Sequence, residues 1–582
     1  MNARTAILSL VCLLGWAPTG VGQDKIFSSK PRKAGTGIIP EDRLADWRNA
    51  GVPGGIPTDR KTLLDVTKPP FNADPTGAAD AQPAIMQAIA KAAPNEVVYL
   101  PAGTYRLNAG ISLGTKSKIT LRGDGPDKTI LHGSISVGGG GGDWWYPNRL
   151  KIDLAGNAVK GATTLTLADP KALDAMPNGG VGMLCHLSLK NDAKLPVIVP
   201  GSFEYMRSQI TRIVGRTDTG VKISPALQFD LPQSLAPRMR PNARHAEFVG
   251  IEDLAVDGST VNLQVGINLS TGYGCWIKNV SVTNIVNYHV SLSDSLQCEI
   301  RHSTIMRRKG AGSNGAGILM GTTGSSLIED NILAEQFPHV EVNASTGNVF
   351  AYNLCHDSTI QGVVGCSINS NHGAHSSMNL YEGNVSPKFQ SDGYHGSSSH
   401  DTVFRNWLHG SSEKTKEFWI CVNLNRFTRH YSIVGNVLGS KGHPWIYDNA
   451  DKGFGYDQHF IYVLGMPNMG NGGFSGVAQP SKGKPWADWA SILAGGKGPG
   501  PGGFQELDLD VRATTLLKGN FNYKHNAVPE NESLGGAGLP KSLYLTQKPA
   551  WFGTLNWPAF GPDAAFESNK IPAQVRFEAL KR

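Results

Sequence analysis

The chain has 582 residues, a formal net charge of +7, 40% hydrophobic and only 17% charged residues, with 70 glycines and 35 prolines. No dense Lys/Arg run or interleaved aromatic patch accompanies the positive balance, which argues against a nucleic-acid partner and suits attraction to an acidic polymer. So much glycine at ordinary hydrophobicity implies many tight turns between short strands rather than disorder.

The N-terminus reads as an export signal over residues 1–22. Arg4 supplies the charge, Ala6 to Trp16 the apolar run, and Gly20-Val21-Gly22 the small residues before a cleavage point at Gln23. That run is too short to span a bilayer, so after cleavage no membrane attachment is expected and the protein is secreted or periplasmic. Residues 23–60 form an N-terminal extension. Within it Pro40 to Asn49 reads as a short helix ended by Gly51, with Trp47 on one face.

Residues 61–142 open the fold. A strand around Leu63, Leu64 and Val66 precedes a helix over Ala81 to Ala92, capped by Asp80, with Ile85 and Ile89 one turn apart. The strand Val97 to Leu100 follows, turned by Pro101-Ala102-Gly103. A lone helix before short strands is the usual cover for the open first coil of a solenoid. Residues 143–245 break the rhythm with alternating strands at Thr164–Leu167, Ile210–Ile213 and Gly220–Ile223, an inserted β subdomain placed to wall a groove or merely to decorate the surface.

Residues 246–445 carry the main repeat. Short apolar strands flank an asparagine at positions 331, 353, 384, 406 and 436, at intervals of 22, 31, 22 and 30 residues. A period near 22 with insertions of eight or nine fits three short strands and three turns per coil. Asparagine tolerates the left-handed turn conformation and can hydrogen-bond to its copy in the next coil. Leucines at fixed places, as in a leucine-rich repeat, are absent. The fold class is therefore all-β, a right-handed parallel β-helix with an N-terminal capping helix and an inserted small β subdomain. Residues 446–582 form a loop-rich tail whose Trp551, Phe552 and Trp557 pack back onto the helix and cover its last coil, or offer a platform for sugar rings.

Cys185, Cys275, Cys298, Cys355, Cys366 and Cys421 remain after the signal, without metal-ligand spacing. Cys275 and Cys298 are 23 residues apart, one coil, and stack either as thiols or as a disulfide.

Phe71-Asn72-Ala73-Asp74-Pro75-Thr76-Gly77, the helix after it, and Val98-Tyr99-Leu100-Pro101-Ala102-Gly103-Thr104-Tyr105 resemble the N-terminal signature of the pectate-lyase superfamily β-helix. Cys275 to Val280, Asn348 to Asn353, Met378 to Asn384, Ser542 to Tyr544 and Trp557 to Asp563 resemble a bacterial branch of it. The resemblance implies a carbohydrate-active β-helix, a scaffold that hosts lyases, hydrolases, epimerases and binders. The polygalacturonase triplets Asn-Thr-Asp and Gly-His-Gly and its Asp-Asp pair are absent, as is a pectate-lyase carboxylate cluster with its arginine, so no catalytic residue is carried over.

The turn asparagines supply a register for candidate residues. Glu341 and His372 stand twelve residues before Asn353 and Asn384, and His395 and Asn425 stand eleven before Asn406 and Asn436. His339 and Asp392 stand fourteen before Asn353 and Asn406, while Leu319, twelve before Asn331, marks where the polar stripe begins. Four consecutive coils then present polar groups on one face, matched to an extended polymer.

Elimination from a uronate needs a base, for which His395 or His372 qualifies with Asp392 as orienting carboxylate. It also needs positive charge near the substrate carboxylate, from Arg405 or Lys388, with His375 and Asn425 as further substrate contacts. Arg405, next to a turn asparagine, is equally placed to pair with a neighbouring coil. Hydrolysis would instead use Glu341 and Asp392, two coils or about 9.6 Å apart. Asp392 and His395 are also possible Ca²⁺ ligands, although their spacing is unspecific. The sequence thus favours a polysaccharide lyase on an acidic glycan, with a glycoside hydrolase or a non-catalytic glycan-binding surface protein as alternatives.

Overall fold

The structure is a computed structural model, described here for residues 37–139, 150–192, 204–310, 315–358, 367–393, 395–411, 420–449, 459–466 and 508–580. The export segment and Cys366 fall outside these residues. Among them no helix is long and apolar enough to cross a membrane.

Three parallel sheets run the length of a right-handed β-helix, each receiving one short strand per coil. The first stacks Thr120–Arg122, the opening halves of Gly250–Asp257 and Trp276–Thr283, then Glu299–Arg301, Leu327–Glu329, Val349–Ala351, Leu380–Glu382, Thr402–Phe404 and Ser432–Val434. The second stacks Thr304–Met306, Ile332–Gln336, Leu354–Ser358, Val385–Ser386, Trp407–Leu408 and Val437–Leu438. The third stacks Val265–Ser270, Tyr288–Ser293, Ala316–Gly321, Val340–Asn343, Ile368–Gly373, Phe389–Ser391 and Ile420–Asn425. Inward positions repeat from coil to coil because the register is kept. Ile300, Ile328, Phe350, Tyr381 and Val403 form one such column, in which Phe350 and Tyr381 stack at 4.8 Å and 7°.

The asparagines make a continuous ladder along the bend between the first and second sheets. Each side-chain amide donates to the carboxamide oxygen of the next: Asn331 to Asn353 (2.9 Å), Asn353 to Asn384 (3.0 Å), Asn384 to Asn406 (2.9 Å), Asn406 to Asn436 (3.0 Å) and Asn436 to Asn520 (2.9 Å). The backbone N–H of each asparagine donates to the same oxygen. Left-handed backbone is adopted not by the asparagine, as the sequence suggests, but by the residue before it: Asp330, Tyr352, Gly383, Arg405 and Gly435, all with φ between 52° and 67°. The bend falls one residue early so that the asparagine, already extended, presents both donors along the stack. At Gly383 a side chain is also sterically excluded, since a Cβ would lie 2.4 Å from the Tyr352 ring. The ladder ends on the buried carboxylate of Glu532, which accepts from Asn520 at 2.7 Å.

A second ladder follows Asn348, Asn379 and Asp401 on the bend between the third and first sheets. Asp401 accepts from the Asn379 backbone at 2.8 Å, and its other oxygen lies 3.1 Å from the Tyr431 hydroxyl.

The helix forms at Gln82–Lys91, with Ile85, Ala88 and Ile89 buried in the same core as Val98 and Leu113. The insertion is a six-stranded antiparallel sheet between Ile152 and Asn242 that contains all three strands read from the sequence. It packs on the bend after the third sheet, where Leu184 and Ile210 cluster with Leu296 and the Thr346 hydroxyl donates to the Ser208 carbonyl at 2.6 Å. Cys275 and Cys298 are buried free thiols in contact, not a disulfide.

Both ends of the chain depart from the sequence reading. Pro40–Asn49 is not one helix but two single 3₁₀ turns, Glu41–Arg43 and Trp47–Asn49, in a strap that crosses several coils. Gly51 donates to the Ser325 carbonyl, Trp47 Nε1 to Met378 (2.8 Å) and Arg43 to Tyr431 (3.1 Å). Contacts to the stack set its path more strongly than helix propensity over so few residues. The tail first extends the helix, Phe460–Met466 joining the third sheet, Leu516–Lys518 the first and Phe521–Asn522 the second, and its remainder then lies along the flank of the first two sheets. Trp557 Nε1 donates to Tyr352, Tyr544 to Glu329 (2.6 Å), and Trp551 and Phe552 pack edge-on against Tyr352. Tail and strap together bury the outer face of the first sheet.

Burial raises the Asp401 carboxyl to about 8, against hydrogen bonds from Asn379 and Tyr431 that oppose the shift. The folded carboxyl keeps its proton to about 8 and the unfolded one releases it near 3.8, so folding binds a proton across that window and stability falls as pH rises through it. Asp401→Asn keeps the ladder acceptor without a charge to desolvate. Its melting temperature should exceed that of the wild type by a margin that grows from pH 5 to pH 8 in calorimetric scans.

Candidate functional site

The outer face of the third sheet carries the polar stripe. Leu319 pairs directly with Glu341, so the stripe begins where the asparagine count places it. One coil on the count slips: Glu341 pairs with Asn369, not His372, and the row continues through Gln390 and Asn423 rather than His395 and Asn425. Loop length varies on both sides of the third-sheet strand, so counting back twelve from Asn384 stops three residues short of Asn369, which stands fifteen before it. Asn425 instead aligns with Asp392, its strand pairing Leu424 with Ser391.

A bulge at His372 between the Glu341 and Asn343 pairings restores much of what the count lost. It turns the imidazole toward the following coil, where His372 Nδ1 lies 2.9 Å from Asp392 Oδ2. Asn369 donates to the same oxygen at 2.6 Å, and its carbonyl oxygen accepts the Asp392 backbone N–H at 3.3 Å. His395 follows on the next turn with its ring edge-on to His372, centroids 5.0 Å apart. Glu341 contributes its field from the preceding coil and accepts from Asn343 at 3.3 Å. Glu341, His372, Asp392 and His395 therefore converge.

Their environments separate the two imidazoles. Burial works against charge on His372, but Asp392, by charge and hydrogen bond, and Glu341 outweigh it and raise the ring to about 9. Burial and then the neighbouring His372 lower His395 to about 4, only partly offset by Asp392. Burial raises the Glu341 carboxyl, against His372 and Asn343. Across the neutral range a cationic imidazole thus sits edge-on to a neutral one. Such divergence separates acid from base roles in active sites.

The other candidates are placed differently. His375 is only 1% exposed, with Nδ1 3.0 Å from Ser397 Oγ and Nε2 2.8 Å from Ser399 Oγ, so it fills the interior bend instead of meeting a polymer. His339 is likewise interior, with Nε2 3.0 Å from the His356 carbonyl and Nδ1 3.0 Å from Ser367. Lys388 is buried and offers no surface charge. Arg405 is buried on the opposite flank, bidentate to Asp563 at 2.7 Å and donating to the Pro540 and Phe560 carbonyls, where it anchors the tail. The expected groove cation is thus neither Arg405 nor Lys388. Asn425 is buried on the site's own sheet, donating to Asn423 at 3.2 Å. Among the described residues no group of three or more His, Cys, Asp or Glu side chains is arranged to hold a metal ion.

Sequence reasoning missed Asn369, which fixes Asp392, and Arg308, whose field reaches Glu341. Asn369 is visible only once strand pairing is known. Arg308 lies outside the strands the register compared. The insertion also adds charge: His186 pairs with Arg240 and Ser188 with both Arg238 and Ser208, so Arg238 and Arg240 share the face that Ser208 and Ile210 turn to the β-helix.

The sheets and columns define a right-handed parallel β-helix. Residues 69–148 match the family model described as "Rhamnogalacturonase A/epimerase, pectate lyase-like". No curated protein matches the chain. Among solved structures, the tailspike gp61 of Pseudomonas phage phi297 is similar at 14% identity and a TM-score of 0.43, over 70% of this chain and 80% of that one. The A-module of the Azotobacter vinelandii mannuronan C-5 epimerase AlgE4 is similar at 13% identity and a TM-score of 0.34, over 69% and 94%. The catalytic unit of a GH87 α-1,3-glucanase from Streptomyces thermodiastaticus is similar at 14% identity and a TM-score of 0.33, over 71% and 57%.

Removing the Asp392 charge should lower the His372 pKa from about 9 toward or below the ordinary 6.5. Histidine NMR titration of Asp392→Asn against the wild type measures it, and an unmoved His372 would detach the two groups.

Proposed function

We propose that the protein is an exported polysaccharide lyase that cleaves an acidic glycan by β-elimination on the outer face of the third sheet. The observation that carries the reading is the edge-on pair of imidazoles in environments that push their pKa values apart, His372 raised beside Asp392 and His395 lowered by burial and His372. Such a pair meets both requirements of elimination next to a uronate carboxylate. A fixed cation stabilises the charge that develops on the carboxylate, and a neutral base takes the proton from C5. His372 supplies the first, held by Asp392 and Asn369, and His395 the second. The C5–H electron pair then forms the C4–C5 double bond and expels the glycosidic oxygen. Glu341, whose carboxyl is raised by burial, returns a proton to that oxygen. The net charge of +7 favours an acidic polymer. The export segment at residues 1–22 supports action in the secreted or periplasmic space, where such a polymer is met.

The hydrolase reading pairs Glu341 with Asp392. Asp392 is 4% exposed and already engaged by Asn369 and His372, a positioning residue more than a second reacting carboxylate.

The mature protein should release unsaturated, ultraviolet-absorbing ends from at least one acidic polysaccharide. His395→Ala should lower kcat by about 10²–10⁴-fold, the range of a lost general base. Reducing ends without that absorbance would replace elimination with hydrolysis. Retention on a glycan without products would make the protein a binder.

A further inference from the structure

On the bend between the third and first sheets, Met378, His400 and His430 occupy equivalent left-handed positions in successive coils, with φ of 59°, 62° and 56°. The imidazoles of His400 and His430 consequently stack, centroids 4.8 Å apart at 27°. Two separate segments converge on this pair. The N-terminal strap arrives after anchoring Trp47 at Met378, and places Arg43 with its Nη1 donating to the Tyr431 carbonyl. The insertion arrives from the other side, where Ser208 bonds to Ala344 and Thr346, and places Arg207 over the Phe229 ring at 4.7 Å.

The result is two guanidinium groups and two imidazoles gathered without a carboxylate at ion-pair distance among the described residues. Arg43 Nε, Arg207 Nε and His400 Nδ1 are all buried from solvent with no hydrogen-bond partner. Burial lowers Arg207, opposed only by the more distant Asp192 and Asp230. Burial, Arg207 and His430 lower His400, and burial and Arg43 lower His430 against Asp42. Two guanidinium charges beside imidazoles, with donors left unmade, cost free energy until an anion enters. Neither side chain is needed to hold the coils, whose backbone pairing and Asn348–Asn379–Asp401 ladder are complete without them.

We propose that Arg43, Arg207, His400 and His430 form an oxyanion-binding site for a sulfate or carboxylate group, outside the groove of His372 and His395. Guanidinium groups match the planar or tetrahedral oxygens of such groups, and the stacked imidazoles add N–H donors. The anion arrives either free or as a substituent of the acidic glycan. The glycan source rests on the acidic-polymer reading above, whereas the site itself does not.

The test is calorimetric titration of the full mature protein with sodium sulfate at constant ionic strength, set against Arg207→Gln and Arg43→Gln. Sulfate binding in the wild type that is lost in both variants is the expected result. Absence of binding in the wild type, or undiminished binding in the variants, would overturn the site. His400→Gln, which leaves both guanidinium groups in place, should weaken binding several-fold even if an arginine variant fails to fold. Competition by an oligogalacturonate in the His395→Ala background, where turnover is removed, identifies the source. Displacement of sulfate supports a glycan-borne anion, and its failure overturns that source.

Discussion

Everything in this molecule hangs on buried amides satisfying one another between coils. A solenoid bends its backbone sharply at each corner, and inside the stack no water completes the hydrogen bonds that the bends leave open. The ladder from Asn331 to Asn520 closes that account with one side chain per coil, and Glu532 terminates it. Each amide also bonds a carbonyl of the preceding coil, as Asn384 does with Phe350 at 2.9 Å. Register is therefore locked at the corner, while the loops that enter and leave the third sheet are free to vary in length.

That division of labour decides where chemistry can sit. The first sheet is wrapped by the strap and the tail, with Arg405 and Asp563 as one clasp and Trp47 on Met378 as another. The insertion leans on the bend beside the third sheet. The third sheet's outer face is left to polar side chains, in rows that advance by one coil spacing at a time. A bulge there moves His372 out of strict register and into contact with Asp392. The irregularity in the ladder of strands is what assembles the site, a common use of bulges near functional centres.

The repeat, the insertion and the onset of the polar stripe at Glu341 were legible in the residues because periodicity reports directly on what each coil must bury. The convergence of Glu341, His372, Asp392 and His395 was legible too, although through a count that is wrong by three residues at His372. Coil insertions are invisible to a count anchored on one corner. Arg405 and Lys388 illustrate the other limit. A charged residue beside a repeat asparagine reads the same whether it faces solvent or, as Arg405 does, a tail that returns from more than a hundred residues away. His375 looked like part of a histidine-rich site, yet Ser397 and Ser399 in the next coil claim both of its nitrogens. Nothing local to His375 signals partners in another coil.

The central claim is that Asp392 on one ring, and burial with His372 on the other, hold two touching imidazoles in opposite states, and the pH dependence of kcat/KM on an acidic glycan tests it most directly. Activity should be level through the neutral range, falling on the acid side as His395 gains a proton near 4 and on the alkaline side as His372 loses one near 9. A single inflection near the ordinary histidine value of 6.5 would show that the two rings titrate alike, and would contradict the account.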